Sequence, residues 1–429
     1  MKPISLSTAR LAALAAVAAQ RVRRDGWRPV ARVAAAKLVS SAVDAWHLAE
    51  PALPLREEDI MDSRSIARPA PAPVTTGRLR IGWLCTPPAP GSGGHTTFFR
   101  MVEEMEERGH QCTVFLYDTN DDDTSRHEET IHSHWPALRA GVRSATYGME
   151  GVDALVASSW PTAHVAAGRA PVSVHLFYFI QDYEPYFYPH GFLYALAEDS
   201  YRLGLTNVAL GGMIAEVMEE ELGEKPQAVV PFGCDTGTYR LPASPEHPLR
   251  SGVVYYAKKK VDRRGYLLAK LALHRFHALQ PEQEIHIYGD IVTGWNIPVT
   301  NHGNLPPAEL NSLYNRTIAG LAISFTNISL VPGELLAAGN IPVVNQAPFA
   351  SGLLNDADAV WAPGTPAGLA AALADVVNAP DIEDRATAVA GRKRLDWTDS
   401  RKSFAHFMEA SCAGSPQETV QHSLRGGLT

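Results

Sequence analysis

The chain has 429 residues, of which 45% are hydrophobic and 20% charged, and its formal net charge is −8. This composition is ordinary for a globular protein, and the length predicts two or three domains. The charge argues against nucleic acid as the main partner, since no basic stripe runs through the part predicted to fold. The four cysteines lie far apart without a Cys-x-x-Cys pair, which argues against a disulfide framework or structural zinc site and fits a reducing cytoplasm.

The first 40 residues carry eight Lys or Arg against the single acid Asp25. Their apolar run, residues 11–19, is much shorter than the roughly 20 residues that span a bilayer. Arginines follow this run instead of preceding it, which argues against a secretory signal. We predict one or two helices broken near Gly26, then an extended proline-rich linker over residues 50–77. This extension, residues 1–78, is expected to dock on the protein itself or on an anionic membrane surface. The expected location is therefore cytoplasmic, with peripheral contact at the inner membrane surface as an option.

From residue 79 onward, short apolar runs alternate with amphipathic segments, the pattern of strand–helix–strand units. One predicted helix follows a glycine loop and places Phe98, Val102 and Met105 on one face. The predicted strands are residues 79–84, 112–117, 154–157, 174–180, 207–210, 228–230, 252–256, 284–288, 319–324 and 342–345. Further predicted helices are residues 266–279, 307–314, 332–338 and 366–377.

A polar, proline-containing segment at residues 241–249 divides this pattern into two halves of similar size. The predicted fold class is α/β, with two Rossmann-like domains facing across a cleft. We place the first domain at residues 79–240 and the second at residues 241–395. A C-terminal helix and a disordered tail are predicted over residues 396–429.

The first candidate site lies in residues 174–189, in which an apolar and aromatic run ends at polar residues and two prolines. Such a run is typical of a strand buried on both faces of a parallel sheet. It places Gln181, Asp182, Tyr183 and Glu184 in the loop at the strand's carboxyl end, where ligands bind in open α/β sheets. The alternative is a helix N-cap followed by aromatic packing.

A glycine loop, with Gly93, Gly94 and His95, follows the first predicted strand. Glycine lets a backbone approach a ligand closely. Counted from Gly91, the loop lacks the last small residue of a dinucleotide fingerprint, because Thr96 stands there. The alternative is a tight turn without a ligand.

The second half contains five cations within seven residues, from Lys258 to Arg264. A run of charge is usually a solvated face. Here, however, it follows a predicted strand, where cations could neutralise the charge that develops on a diphosphate leaving group.

A third group of candidates spans residues 324–344, where a strand, a small polar loop and a helix start follow one another. The exposed N–H groups of such a helix start suit an anion. Glu334 lies in the first helical turn, and its alternative role is to favour the helix dipole.

These features carry a resemblance to a known family. Residues 174–189, continued by residues 194–199, resemble a signature of WsaF-type rhamnosyltransferases, within the retaining family 4 glycosyltransferases. The glycine loop followed by Arg108-Gly109-His110 is similar to the opening of that family, and residues 334–344 to its E-x7-E region. The resemblance covers roughly residues 79–400. It implies a GT-B fold and a retaining transfer of L-rhamnose from dTDP-L-rhamnose to a glycan or glycoconjugate acceptor, without metal or cofactor.

The resemblance also implies roles for single residues. Glu334 would hold the ribose hydroxyls, and two cations spaced by five residues would neutralise the diphosphate, either Lys258 with Arg263 or Lys259 with Arg264. The first Glu of the E-x7-E pair falls at Thr326, a departure that leaves the sugar-contacting role unassigned. The expected catalytic residues are Asp182, Lys258, Arg263 and Glu334. The expected donor-binding residues are Gly93, Gly94, Lys259, Arg264, Tyr288, Ser324, Asn327, Ile328, Ser329 and Leu330. The expected acceptor-binding residues are His95, Gln181, Tyr183 and Glu184.

Two other functions fit the same scaffold. One is a nucleotide-sugar epimerase, and the other is a non-catalytic sugar-binding protein, which Thr326 makes credible. Residues 121–123 have the Asp-x-Asp spacing of a metal site, but we interpret them as a solvent loop. A homo-oligomer is an option that the residues leave open.

Overall fold

The computed structural model describes residues 53–75, 77–120, 123–242, 249–328, 330–347, 354 and 358–414. Its residues from 55 onward belong to one compact unit. The predicted N-terminal helices, the disordered tail and the candidate Ser329 lie outside the described residues.

The first domain is built on a seven-stranded parallel sheet with the order β3-β2-β1-β4-β5-β6-β7. Its strands are β1 (Arg80–Cys85), β2 (Gln111–Leu116), β3 (Gly141–Ser144), β4 (Ala154–Ala157), β5 (His175–Ile180), β6 (Thr206–Leu210) and β7 (Ala228–Val230). Its helices are α1 (Gly93–Glu107), α2 (Ser125–His134), α3 (Trp160–Arg169), α4 (Phe192–Asp199) and α5 (Gly212–Leu222).

The second domain is built on a six-stranded parallel sheet with the order β10-β9-β8-β11-β12-β13. Its strands are β8 (Val253–Ala257), β9 (Ile285–Gly289), β10 (Thr300–Gly303), β11 (Ala319–Ala322), β12 (Ile341–Asn345) and β13 (Val360–Ala362). The helices that follow are α6 (Tyr266–Leu279), α7 (Pro307–Arg316), α8 (Val331–Ala337), α9 (Pro366–Val377), α10 (Ile382–Ala390) and α11 (Trp397–Cys412).

The predicted pair of Rossmann-like domains is confirmed. Central strands are buried on both faces: β4 and β9 are buried at every position. The helix face predicted from Phe98, Val102 and Met105 is also buried, and Phe98 packs edge-on against Trp83 at 5.4 Å. The hydrophobic effect of these two-sided cores therefore fixes the positions of the strand ends that carry the candidate residues.

Two segments outside the alternating pattern bind to the first domain. The described part of the predicted linker, from residue 53 onward, is not extended throughout, since it contains a 3-10 turn, Glu57–Asp59, and Asp59 accepts hydrogen bonds from Tyr117 and Arg169. Helix α11 follows the second domain but packs against the first: Phe404 lies against Trp83 and Phe179. The described helices include none that is long and apolar enough to cross a membrane.

Candidate functional site

The loop after β5 contacts the second domain directly. Oδ2 of Asp182 accepts a hydrogen bond of 2.9 Å from the Thr326 hydroxyl, and Oδ1 accepts one of 3.1 Å from the main-chain N–H of Asn327. The Asn327 side chain donates to the carbonyl oxygen of Gln181 at 2.9 Å. The carboxyl ends of strands β5 and β11, on different sheets, are therefore joined by three hydrogen bonds.

The pKa of the buried Asp182 carboxyl is subject to opposing influences. Burial raises its pKa, while Arg264 and Arg263 and the two hydrogen bonds from the second domain favour the charged form. Thr326, where the resemblance expects a Glu, donates to this carboxylate. A Glu at that position would place two carboxylates against each other, so the departure at Thr326 fits a carboxylate supplied by the first domain.

The two arginines of the cationic run occupy different positions. Arg264 donates from Nη1 to the Ser324 hydroxyl at 2.9 Å and to the Asn327 carbonyl at 3.0 Å, and its burial lowers its pKa. The Arg263 guanidinium lies 4.0 Å from the centre of the Phe187 ring, which belongs to the first domain. The buried Nε–H of Arg263 has no hydrogen-bond partner among the described residues.

The lysines of the run lie farther out. The ammonium group of Lys258 is 5.3 Å from the centre of the Tyr256 ring. The Lys259 side chain is exposed, and its main-chain N–H donates to Asp290 at 2.7 Å. In the pair Lys259 with Arg264, the lysine is exposed and the arginine is bound within its own domain. In the pair Lys258 with Arg263, both side chains are half-buried, and neither makes a side-chain hydrogen bond to its own domain among the described residues.

The loop after β11 is held in one shape by its own polar groups. The Ser324 N–H donates to Asn345 at 2.8 Å, the Asn345 amide donates back to the Ser324 carbonyl at 2.8 Å, and the Ser324 hydroxyl donates to the Asn327 carbonyl at 2.7 Å. A cavity of about 10 Å³, enough for one water molecule, lies beside this loop. It is lined by Tyr256, Arg264, Leu321, Ala322, Ile323, Ile328 and Val331.

Glu334 lies in the first turn of α8, as the sequence predicts. Burial raises its pKa to about 7, opposed by the charge of Arg100 on helix α1 of the first domain. Tyr288, another expected donor residue, is buried, stacks on Tyr256 at 4.8 Å and shares a 2.6 Å hydrogen bond with the Tyr314 hydroxyl. This placement gives Tyr288 a packing role beside the site.

The glycines that the sequence placed in a loop lie in the first turn of helix α1 and approach both domains. A Cβ atom built on Gly94 would lie 3.8 Å from the side-chain oxygen of Gln181, and one on Gly93 would lie 3.9 Å from Leu330. His95, in the same turn, has both ring nitrogens close to the preceding loop: Nδ1 lies 2.8 Å from the Ser92 hydroxyl and Nε2 lies 3.1 Å from the Thr86 carbonyl. Burial lowers its pKa, which favours the neutral ring, and the two contacts hold the helix start to that loop.

Tyr183 and Glu184 point into the first domain. The Tyr183 ring is fully buried and stacks on Tyr201 at 5.5 Å. Glu184 accepts a 2.7 Å hydrogen bond from the Trp160 N–H, and its burial raises its pKa to about 8. These positions do not fit direct contact with an acceptor; the two side chains hold the loop that carries Asp182.

Part of the chain matches a known protein family. Residues 139–211 match a family model described as the N-terminal domain of WsaF. The chain is 28% identical over 307 residues to the O-antigen biosynthesis protein RfbC of Myxococcus xanthus, a match that covers 66% of this chain and 23% of RfbC. The chain thus spans about a quarter of that relative.

Solved structures show the same architecture. Anabaena Alr3699/HepE, in complex with UDP-glucose, superposes with a TM-score of 0.60 at 15% identity over 78% of this chain and all of that one. WaaG, a glycosyltransferase of lipopolysaccharide biosynthesis, superposes with a TM-score of 0.54 at 14% identity over 76% of this chain and 99% of WaaG. The protein has the GT-B fold.

In this GT-B fold, three residues at the cleft were not predicted from the sequence. Phe187 stacks on Arg263, Asn345 holds the Ser324 loop, and Arg100 lies close enough to Glu334 to influence its pKa. Phe187 lay inside the singled-out aromatic stretch, but nothing in the sequence indicated its partner. Within the described residues, no group of three His, Cys, Asp or Glu side chains is arranged to hold a metal ion.

Proposed function

We propose that this protein is a glycosyltransferase of polysaccharide biosynthesis that takes its sugar from a nucleotide-sugar donor. The observation that carries the proposal is the meeting of Asp182 with the Thr326 loop, beside Arg263 and Arg264, where carboxyl ends of strands from both sheets face each other. This is the place where open α/β sheets bind ligands. It combines cations for a diphosphate with carboxylates for sugar hydroxyls.

The donor diphosphate is assigned to the second domain. In the transfer, the bond between the sugar's anomeric carbon and the diphosphate oxygen breaks, and negative charge grows on the leaving group. Lys258 and Arg263 are the pair assigned to that charge, because Arg264 already holds the Ser324 loop. Electrostatic stabilisation of this kind is commonly the largest single contribution to catalysis.

Glu334 is assigned to the ribose hydroxyls of the donor, and Asp182 to the transferred sugar. Asp182 already bonds the loop in which the resemblance expects the sugar-contacting Glu, so it supplies a carboxylate at that place from the other domain. The acceptor hydroxyl forms the new bond to the anomeric carbon, and its proton passes to the departing diphosphate. Gln181 and the glycine loop border the acceptor side.

The proposed donor is dTDP-L-rhamnose, the transfer is proposed to retain the anomeric configuration, and the acceptor is proposed to be a glycan or glycoconjugate. The resemblance of residues 174–189 to WsaF-type rhamnosyltransferases supports this choice, and the match to the WsaF N-terminal domain includes those residues. The name of the relative RfbC supports a role in O-antigen or similar polysaccharide synthesis.

A thermal-shift screen of dTDP-L-rhamnose, UDP-glucose and GDP-mannose tests the proposal. A donor at 100 times its dissociation constant should stabilise the protein by about 2.7 kcal/mol. Glu334→Gln should reduce this shift, whereas Glu309→Gln, which changes an exposed acid in the first turn of α7, should not. If none of the three nucleotide-sugars shifts the melting temperature, the donor assignment is wrong; if only UDP-glucose or GDP-mannose does, rhamnose is wrong.

A further inference from the structure

We propose that Phe187 is a positioning residue for catalysis: its ring, supplied by the first domain, holds the Arg263 guanidinium where the donor diphosphate departs. The inference rests on the proposed function, which assigns the donor diphosphate to Arg263. The new element is that the first domain orients this arginine, which belongs to the second domain. The ring thereby adds a second contact between the two halves of the cleft, besides the hydrogen bonds of Gln181 and Asp182.

Both partners of this contact are anchored. Phe187 ends a short 3-10 turn, Glu184–Phe187, whose first residue donates its N–H to the Tyr201 hydroxyl at 3.0 Å. Arg263 lies in the turn Asp262–Arg264, and its carbonyl accepts the Phe325 N–H at 3.0 Å. Because both backbones are fixed, the contact between the guanidinium and the ring, 4.0 Å apart, holds the arginine side chain in one direction.

Stacking suits a cation that must receive an anion. An aromatic ring that lies against the face of a guanidinium leaves the N–H groups at its edge available in the plane where phosphate oxygens bind, and the distance of 4.0 Å is short enough for this arrangement. One of these, the Nε–H, is buried without a partner among the described residues. A buried donor without an acceptor is costly, which points to an anionic ligand as its partner.

The Arg263 guanidinium lies on the ring, although the carboxylate of Asp182 is near enough to be influenced by the charge of Arg263. The oxygens of Asp182 accept hydrogen bonds from Thr326 and Asn327, both in the second domain. An Arg263 side chain released from the ring could turn to this carboxylate and form a bidentate pair, the geometry that guanidinium and carboxylate groups favour. Phe187 thus preserves the arginine for the ligand.

Removal of the ring should slow the reaction more than it weakens donor binding. Phe187→Leu should lower kcat about two- to thirtyfold, the range that corresponds to a cation–π contact, with donor KM changed less than twofold, because leaving-group charge is greatest in the transition state. Phe187→Tyr, which keeps the ring face, should retain activity. Phe192→Leu, which changes an exposed aromatic residue five positions on, is the matched control.

A double-mutant cycle with Arg263→Ala identifies the route of the effect. If Phe187 acts through Arg263, Phe187→Leu should add nothing once the arginine is gone. A full additional loss in that background, or equal losses in Phe187→Leu and Phe192→Leu, would overturn the inference. If Phe187→Leu does not melt cooperatively, Phe187→Met, whose side chain is close in volume to leucine, replaces it.

Binding of the free nucleoside diphosphate, measured by calorimetry, gives a readout besides turnover. dTDP or UDP should bind more weakly to Phe187→Leu than to the wild type, while thymidine or uridine should bind both proteins equally. If the wild type binds neither nucleotide and turns over no donor, the proposed function itself fails. If it binds and turns over donor but Phe187→Leu behaves like the wild type in both assays, only the positioning role fails.

Discussion

Two glutamates, Glu184, which is buried, and Glu334, which is half-buried, show how neighbouring groups give the same side chain different roles. Glu334 lies opposite Arg100, with its pKa raised to about 7, whereas Glu184 is enclosed by the first domain, with its pKa raised to about 8. The sequence predicted both as site residues, since polar residues after apolar runs are visible in one dimension. The contacts between distant residues were not predictable: Thr326 and Asp182, which share a hydrogen bond, are 144 positions apart in the chain.

Donor binding should depend on pH through Glu334. With a pKa of about 7, its carboxyl loses its proton as the pH rises, and only the charged form accepts hydrogen bonds from both ribose hydroxyls. Donor affinity should therefore increase from about pH 6 to about pH 8. Glu334→Gln should bind roughly ten- to a hundredfold more weakly at about pH 8, the loss expected for a hydrogen bond to a charged group.

Calorimetric titrations of the nucleotide-sugar at the two pH values check this dependence. Glu309→Gln should keep the wild-type pH profile. An identical rise of affinity in Glu334→Gln would show that another group is responsible, and the ribose assignment would be wrong.

Glu184 should make the folded protein less stable as the pH rises. The folded state keeps the proton up to a pKa of about 8, while the unfolded chain releases it near the ordinary glutamate pKa of 4.5. The free energy of unfolding should thus be fully retained below about pH 4.5 and fall up to about pH 8, by at most about 1.4 kcal/mol per pH unit from this group. Glu184→Gln, which stays neutral and still accepts the Trp160 N–H, should remove that contribution.

Urea unfolding at several pH values between these limits measures the slope. The variant should lose less stability than the wild type over the interval. Equal slopes for the two proteins would mean that Glu184 is ionised in the fold at neutral pH.

At the scale of elements, apolar runs were sufficient for the central strands and for the edge strand β7, but not for the edge strands β3 and β10. Strands β5 and β8 follow continuous apolar sequence, and the sequence placed each within one residue of its observed bounds. Strand β3, Gly-Val-Arg-Ser, and strand β10, Thr-Asn-His-Gly, are short and partly exposed edge strands, so neither had an apolar run to indicate it. The return of α11 to the first domain depends on tertiary packing of Phe404, which no local pattern expresses.

The segment that precedes β1 should contribute to stability through Asp59. Its carboxylate is buried and accepts from Arg169 and from the Tyr117 hydroxyl. Asp59→Ala should lower the free energy of unfolding by about 3 kcal/mol, because removal of the carboxylate leaves the partly buried charge of Arg169 and a buried hydroxyl unpaired. Urea unfolding gives the value, and Asp62→Ala, in the same segment, is the control. A loss below about 0.5 kcal/mol, typical of surface changes, would contradict the assignment.

At the scale of the whole molecule, the fold was predictable but the contact between its domains was not. Two alternating strand–helix halves predict two Rossmann-like domains, and parallel sheets bring ligand-binding loops to their carboxyl ends. The sequence could not show that Asp182 and Phe187 of the first domain would contact Thr326 and Arg263 of the second. The proposed chemistry depends on those contacts.

Acceptor-dependent release of nucleoside diphosphate tests the central claim most directly. The protein is incubated with dTDP-L-rhamnose, UDP-glucose or GDP-mannose, with and without a lipopolysaccharide-derived glycan mixture, and released nucleoside diphosphate and new glycan mass are quantified together. The account predicts release and a matching mass increase that both need acceptor, both reduced about ten- to a hundredfold in Glu334→Gln and unchanged in Glu309→Gln. Donor that is isomerised without acceptor, or bound without release of diphosphate from any of the three, would contradict it.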